Sequence, residues 1–175
     1  MKRKTIPLTA AALNADARDS AAKAGAAFNA PDDDWLPVLI ARAADGRAVI
    51  AGIELDEALK DHMVDVVAEV LRRANAAGAA LVISAWTVEA PAGPAGEFAL
   101  EMARLDGVRN HPLRKEVLIV ESCDGKATEV WHAEIRRRPD GPSTLGPWER
   151  QDVEASGRMA NVLQRAFDAL RKRGR

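Results

Sequence analysis

The sequence predicts an α+β domain: a mostly antiparallel five-stranded sheet, two hairpins plus one strand, packed by two long helices and preceded by an Ala-rich segment. Three observations carry that expectation. Asp45-Gly46 and Asp124-Gly125 each sit between runs rich in Val, Ile and Leu, and Asp-Gly supplies the positive φ that a hairpin turn needs. Leu55, Leu59, Met63, Val66, Val67, Val70, Leu71 and Ala74 recur at helical spacing. Ala79 to Val88 reads AALVISAWTV, a buried strand between the two hairpins.

Residues 8–27 are alanine-rich, with little bulk beyond Leu8 and Leu13. Alanine favours helix, but a helix without a bulky face has little to bury. Residues 1–30 are therefore expected to be a basic segment, helical or partly disordered, ahead of one α+β domain over 31–175. Pro31 and three successive aspartates end the segment. The first hairpin spans Trp35–Ala43 and Arg47–Ile53, and Pro37 implies a late start or an edge position for its first strand. The helix after it has Asp56 as a candidate cap, Glu69 and Arg73 as an i,i+4 pair, and Gly78 as its left-handed terminator.

Residues 91–96 (PAGPAG) read as a loop, and Glu97–Leu105 as a short helix through Phe98, Leu100, Met102 and Leu105. The second hairpin pairs Lys115–Cys123 with Lys126–Arg137. A two-residue turn would set Cys123 opposite Lys126, Thr128 opposite Glu121 and His132 opposite Val117. One face then carries Leu118, Val120, Trp131, Ala133 and Ile135 and is the expected packed side. The other mixes Val117, Ile119 and Val130 with Cys123, Thr128, His132, Glu134 and Arg136, with Glu134 paired to Lys115 across the strands. Residues 139–148 (PDGPSTLGPW) read as a loop, and the last helix as Val153–Arg173.

Composition bounds the chemistry. Of 175 residues, 35 are alanine and one is cysteine, which leaves bulk for one modest core and excludes a disulfide framework. The charged start, Met1 to Lys4, has no apolar stretch behind it, and no run is long enough to span a bilayer. A cytoplasmic protein without a membrane partner is the expectation. Net charge is −1 overall, but residues 1–30 carry +3, residues 153–175 carry +4 and the middle carries −8. The basic clusters Arg136–Arg138 and Arg171–Arg175 could meet phosphates, but the acidic body and the absence of tyrosine speak against nucleic acid as partner.

His132-Ala133-Glu134 matches the His-x-Glu opening of zinc deaminases, whose chemistry also needs a downstream Pro-Cys-x-x-Cys. The single cysteine, Cys123, lies upstream. No His-x-x-x-His, phosphate-binding glycine loop or nucleophile elbow occurs, so neither a metal nor a cofactor is expected. Cys123 and His132 are separated by a strand stretch of roughly 20 Å in the expected register.

The reading is a binding or interaction module, leaning away from an enzyme, whose partner is itself as a homodimer or another protein. Trp35, Trp86 and Trp148 are candidate interface anchors, because Trp concentrates contact energy. His132, Glu134, Thr128, Arg136 and His111 form the candidate ligand or partner face, roofed by the loops at 91–96 and 139–148. An enzyme or small-molecule site on that face is the alternative, and weak nucleic-acid association through the basic termini is the second.

Overall fold

A computed structural model describes residues 7–54, 61–91, 93–151 and 161–173. Among these residues, four α-helices and one antiparallel sheet follow in the order α1 (Ala10–Ala26), β1 (Val38–Ala43), β2 (Ala48–Gly52), α2 (Met63–Arg73), β3 (Ala76–Val88), α3 (Pro94–Asp106), β4 (Arg114–Cys123), β5 (Thr128–Arg138), β6 (Gly141–Arg150) and α4 (Val162–Arg173). The α+β class and the antiparallel sheet agree with expectation, but the sheet has six strands and curls into a half-barrel. Its spatial order is β2-β1-β3-β4-β5-β6. Asp56, Met159 and the rest of segments 55–60 and 152–160 lie outside the described residues.

The sixth strand is the stretch read as a loop. Arg138 pairs with Gly141 across Pro139-Asp140, and β6 runs along β5 as far as Trp131 opposite Arg150. Pro142, Gly146 and Pro147 are tolerated because β6 is an edge strand, where an N–H facing outward need not join a ladder. Register shifts near Ala133–Ile135 and Arg136–Arg138 mark where the pairing gives way.

Both Asp-Gly reversals form, in a wider shape than a two-residue turn. Gly46 and Gly125 have positive φ while Asp45 and Asp124 do not. Each aspartate instead folds its side chain back: Asp124 Oδ1 accepts from the N–H groups of Lys126 and Ala127 at 2.9 and 2.8 Å, and Asp45 Oδ1 accepts from Arg47 N–H at 3.0 Å. Such a side-chain turn competes with the tight reversal. The second hairpin consequently sits two residues from the expected register, with Cys123 opposite Thr128, Glu121 opposite Val130, Ile119 opposite His132 and Val117 opposite Glu134. Glu134 therefore does not face Lys115. The slip is even, so every side chain keeps its face.

The helix before β3 ends earlier than Gly78. Asn75 takes the left-handed conformation at φ 49°, and Gly78 lies inside β3, where a Cβ would come within 2.7 Å of Leu13 Cδ1.

The alanine-rich segment is a full helix. Its small side chains let α1 lie close on the sheet, burying Ala10, Leu13, Ala17 and Ala21. Together with Trp35 it covers Ala80, Val82, Leu118, Val120 and Ile135, the face expected to be packed. Asn14 is fully buried and pins it: Nδ2 donates to the Val120 carbonyl at 2.9 Å, Ser122 Oγ at 3.1 Å and the Glu129 carbonyl at 3.3 Å. Arg18 Nε donates to Asn14 Oδ1 at 3.0 Å, and its guanidinium lies 3.9 Å from the Trp131 ring centre. Ser122 Oγ donates to the Ala10 carbonyl, and Asp124 Oδ2 accepts from Ala10 N–H.

The opposite face is covered by α2 and α4 over part of its area. Met63, Val67 and Leu71 of α2 and Leu163, Ala166 and Phe167 of α4 pack on Leu39, Ala41, Ala79, Leu81, Ile83 and Cys123. The amphipathic period of each helix dictates this burial. The β4–β6 end of that face, around His132, carries the polar groove described next.

Candidate functional site

Alternation along β5 sends His132, Glu134 and Arg136 to the same side. Neighbouring strands complete a groove lined by Glu89, Lys115, Val117, His132, Glu134, Arg136, Pro147 and Glu149, with about 430 Å³ of space open to solvent. The strand read as a loop thus forms a wall of the groove. Three of the five residues expected to share a face meet here. Thr128 does not, because its hydroxyl donates to Gln164 Oε1 at 2.8 Å beneath α4. His111 is buried elsewhere, and its Nδ1 accepts from Leu113 N–H at 3.1 Å.

Carboxylates hold the cations of the groove. Lys115 hydrogen-bonds Glu89, which pushes the ammonium pKa up, and Arg136 Nε lies 3.4 Å from Glu134 Oε2. His132 Nε2 sits between two further carboxylate oxygens, 3.8 Å from Glu149 and 4.0 Å from Glu89. Glu89, Lys115 and Glu149 were not expected in a site. Only the β5–β6 register, which sets His132 opposite Glu149, brings the last of them in. Among the described residues no cluster of three or more His, Cys, Asp or Glu has the geometry of a metal site, and no helix is long and apolar enough to cross a membrane.

The tryptophans divide. Trp35 is a core residue; its indole N–H donates to the Ala21 carbonyl at 2.8 Å and its ring meets Phe28 edge-on at 4.7 Å. Trp148 packs half-buried against the α1-side core. Trp86 is 40% exposed, with the Arg114 guanidinium 5.3 Å from its ring centre.

Two further features stand out. Glu121 is 4% exposed on the helix-covered face. Its Oε1 accepts from Leu163 N–H at 2.9 Å, and the N–H groups of Val162 and Gln164 also act on it. Burial nevertheless dominates and pushes its carboxyl up to about 7. Two residues along, Cys123 is fully buried, and burial raises its thiol pKa as well.

The second feature is the edge at β2. Its sequence, AVIAG, has no charge and no proline. Val49 and Ile50 are 42% and 71% exposed, and Leu36, beside the strand's end, is 76% exposed. The far edge, β6, is blunted by Pro142, Pro147, Glu149 and Arg150, residue types that discourage edge pairing. No family model, curated protein or solved structure matches the chain, so function is argued from these surfaces.

Proposed function

We propose that this protein is an interaction module that self-associates, with two copies pairing antiparallel along β2. The β2 edge, uncharged and unpaired among the described residues, carries the reading. A strand edge presents a row of backbone donors and acceptors that a second identical edge can satisfy, and a two-fold axis makes the contact self-complementary. An axis perpendicular to the sheet at Ile50 sets Ile50 against its own copy. It also brings Arg47 of one strand to the end where the other carries Glu54. Leu36 extends the apolar strip along the same side, since Ile53 N–H donates to the Pro37 carbonyl and so aligns the chain before β1 with the end of β2.

Ile50→Lys tests the reading. Ile50 is exposed, so the substitution spares the core while placing like charges at the axis. Light scattering at about 100 μM, well above a micromolar Kd, is expected to give a dimer for the parent chain and a monomer for the variant, with unchanged far-ultraviolet dichroism. A monomeric parent chain would sink the proposal.

A second reading is favoured by the convergence of Glu89, Glu134 and Glu149 around His132. With three carboxylates against two cations already held by them, the groove suits a small organic cation. A panel of alkyl amines is expected to raise the melting temperature, and the shift should disappear in Glu149→Gln. Equal shifts in both proteins would remove this reading.

A further inference from the structure

The α1 side of the sheet, away from the polar groove, holds a second set of oriented polar groups. Asn14, Ala17 and Ala21 of α1 are buried against the sheet, and Arg18 leaves the helix on its flank over β5 and β6. There its guanidinium carbon lies 3.9 Å from the Trp131 ring centre and 5.9 Å from that of Trp148. Its Nε donates to Oδ1 of the fully buried Asn14 at 3.0 Å. A stacked face and a bonded Nε hold the group in place and leave its two Nη groups as the outer edge. Among the described residues two arginines are half-buried: Arg42 pairs with Asp16 at 3.0 Å, and Arg18 meets no carboxylate. Its Nη groups are not enclosed either, because the one enclosed side-chain nitrogen or oxygen without a partner among those residues is Arg42 Nε.

We propose that Arg18, Trp131 and Trp148 form a seat for a small monocarboxylate with a flat apolar body. The two Nη groups make a planar fork that matches the two oxygens of a carboxylate. Both indoles are half-buried, and their exposed parts supply a flat apolar surface for the rest of the ligand. The nearby acid does not compete for Arg18. Glu129 Oε2 accepts from the Trp131 indole N–H at 3.2 Å, and its Oε1 faces Arg150 at 3.9 Å. One fixed cation suits a singly charged planar anion, whereas a phosphate dianion needs more donors and more positive charge than Arg18 offers.

The test follows the indole N–H signals of the intact chain by nitrogen–proton NMR. Benzoate is the probe and benzamide its neutral counterpart, with sodium chloride holding the ionic strength constant. The chain has four tryptophans, and Trp131→Phe and Trp148→Phe assign the two signals of the seat. Benzoate is expected to shift those two with a Kd of about 1 mM. Trp35 in the core and Trp86, beside Arg114 on another part of the surface, should stay unmoved. Benzamide should shift none of them. Arg18→Lys keeps the charge but loses the fork, and is expected to weaken binding about tenfold. Shifts that do not begin to saturate by about 20 mM benzoate would overturn the seat. So would an equal response at Trp86, equal shifts with benzamide, tighter binding of inorganic phosphate than of benzoate, or a Lys variant that binds like the parent. The parent chain's own titrations decide the matter even where a variant fails to fold.

Discussion

Asn14→Ala is expected to lower stability by about 3 kcal/mol, a drop of roughly 6–12 °C in melting temperature for a chain of this size. The side chain is fully buried and bonds to Val120, Ser122 and Glu129 while accepting from Arg18. Truncation leaves buried acceptors facing a small cavity, and each orphaned group costs about 1–3 kcal/mol. Arg18 loses the bond that steers it over Trp131. Asn14→Asp should be worse, since a carboxylate has no proton for the two carbonyls that Asn14 now satisfies. The damage should be centred on α1, whose alanine face has little bulk to hold it otherwise, so amide exchange should accelerate first over residues 10–26. A melting temperature within about 2 °C of the parent chain would show that α1 is held by packing instead.

Stability should fall as pH rises through the neutral range, against the usual acid-labile pattern. The Glu121 carboxyl lies at about 7 in the folded chain against 4.5 for the ordinary group. Below 4.5 both folded and unfolded chains hold the proton and the group contributes no slope. Between 4.5 and 7 the folded chain holds a proton that the unfolded chain has lost, so stability declines with rising pH. The full effect is roughly 3 kcal/mol, of which about 2 kcal/mol falls between pH 5.5 and pH 8. Glu69 is held near 2 by Arg72 and Arg73, and Asp33, Asp45 and Asp124 are lowered by backbone N–H groups; their contributions are lost only at lower pH, outside this window. Urea unfolding of the parent and of Glu121→Gln at the two pH values checks this. The variant should be flat across the range and the more stable of the two at pH 8. A parent chain equally stable at both values would remove Glu121 as the cause.

Much of the architecture was legible in the chain. The period of Met63, Val67 and Leu71 announced α2, and alternation along β5 placed His132, Glu134 and Arg136 together. The groove's other half was not legible. Glu89 follows the end of β3, and Glu149 belongs to a strand that Pro142, Gly146 and Pro147 disguised as a loop. Nothing in the local sequence around Asn14 or Glu121 marks either side chain as buried. Both owe their importance to what lies above them.

Local sequence determined the coiling of α2, the extension of β1 to β5 and the reversals at Gly46 and Gly125, because these depend on side-chain period and on φ freedom. Tertiary structure alone decided the two-residue offset of the second hairpin, the order of the six strands, the docking of α1 and the burial of one acid beneath α4. Those outcomes depend on partners far apart in sequence. The free energy of an Asn or a Glu changes sign according to whether water or a neighbouring backbone completes its hydrogen bonds.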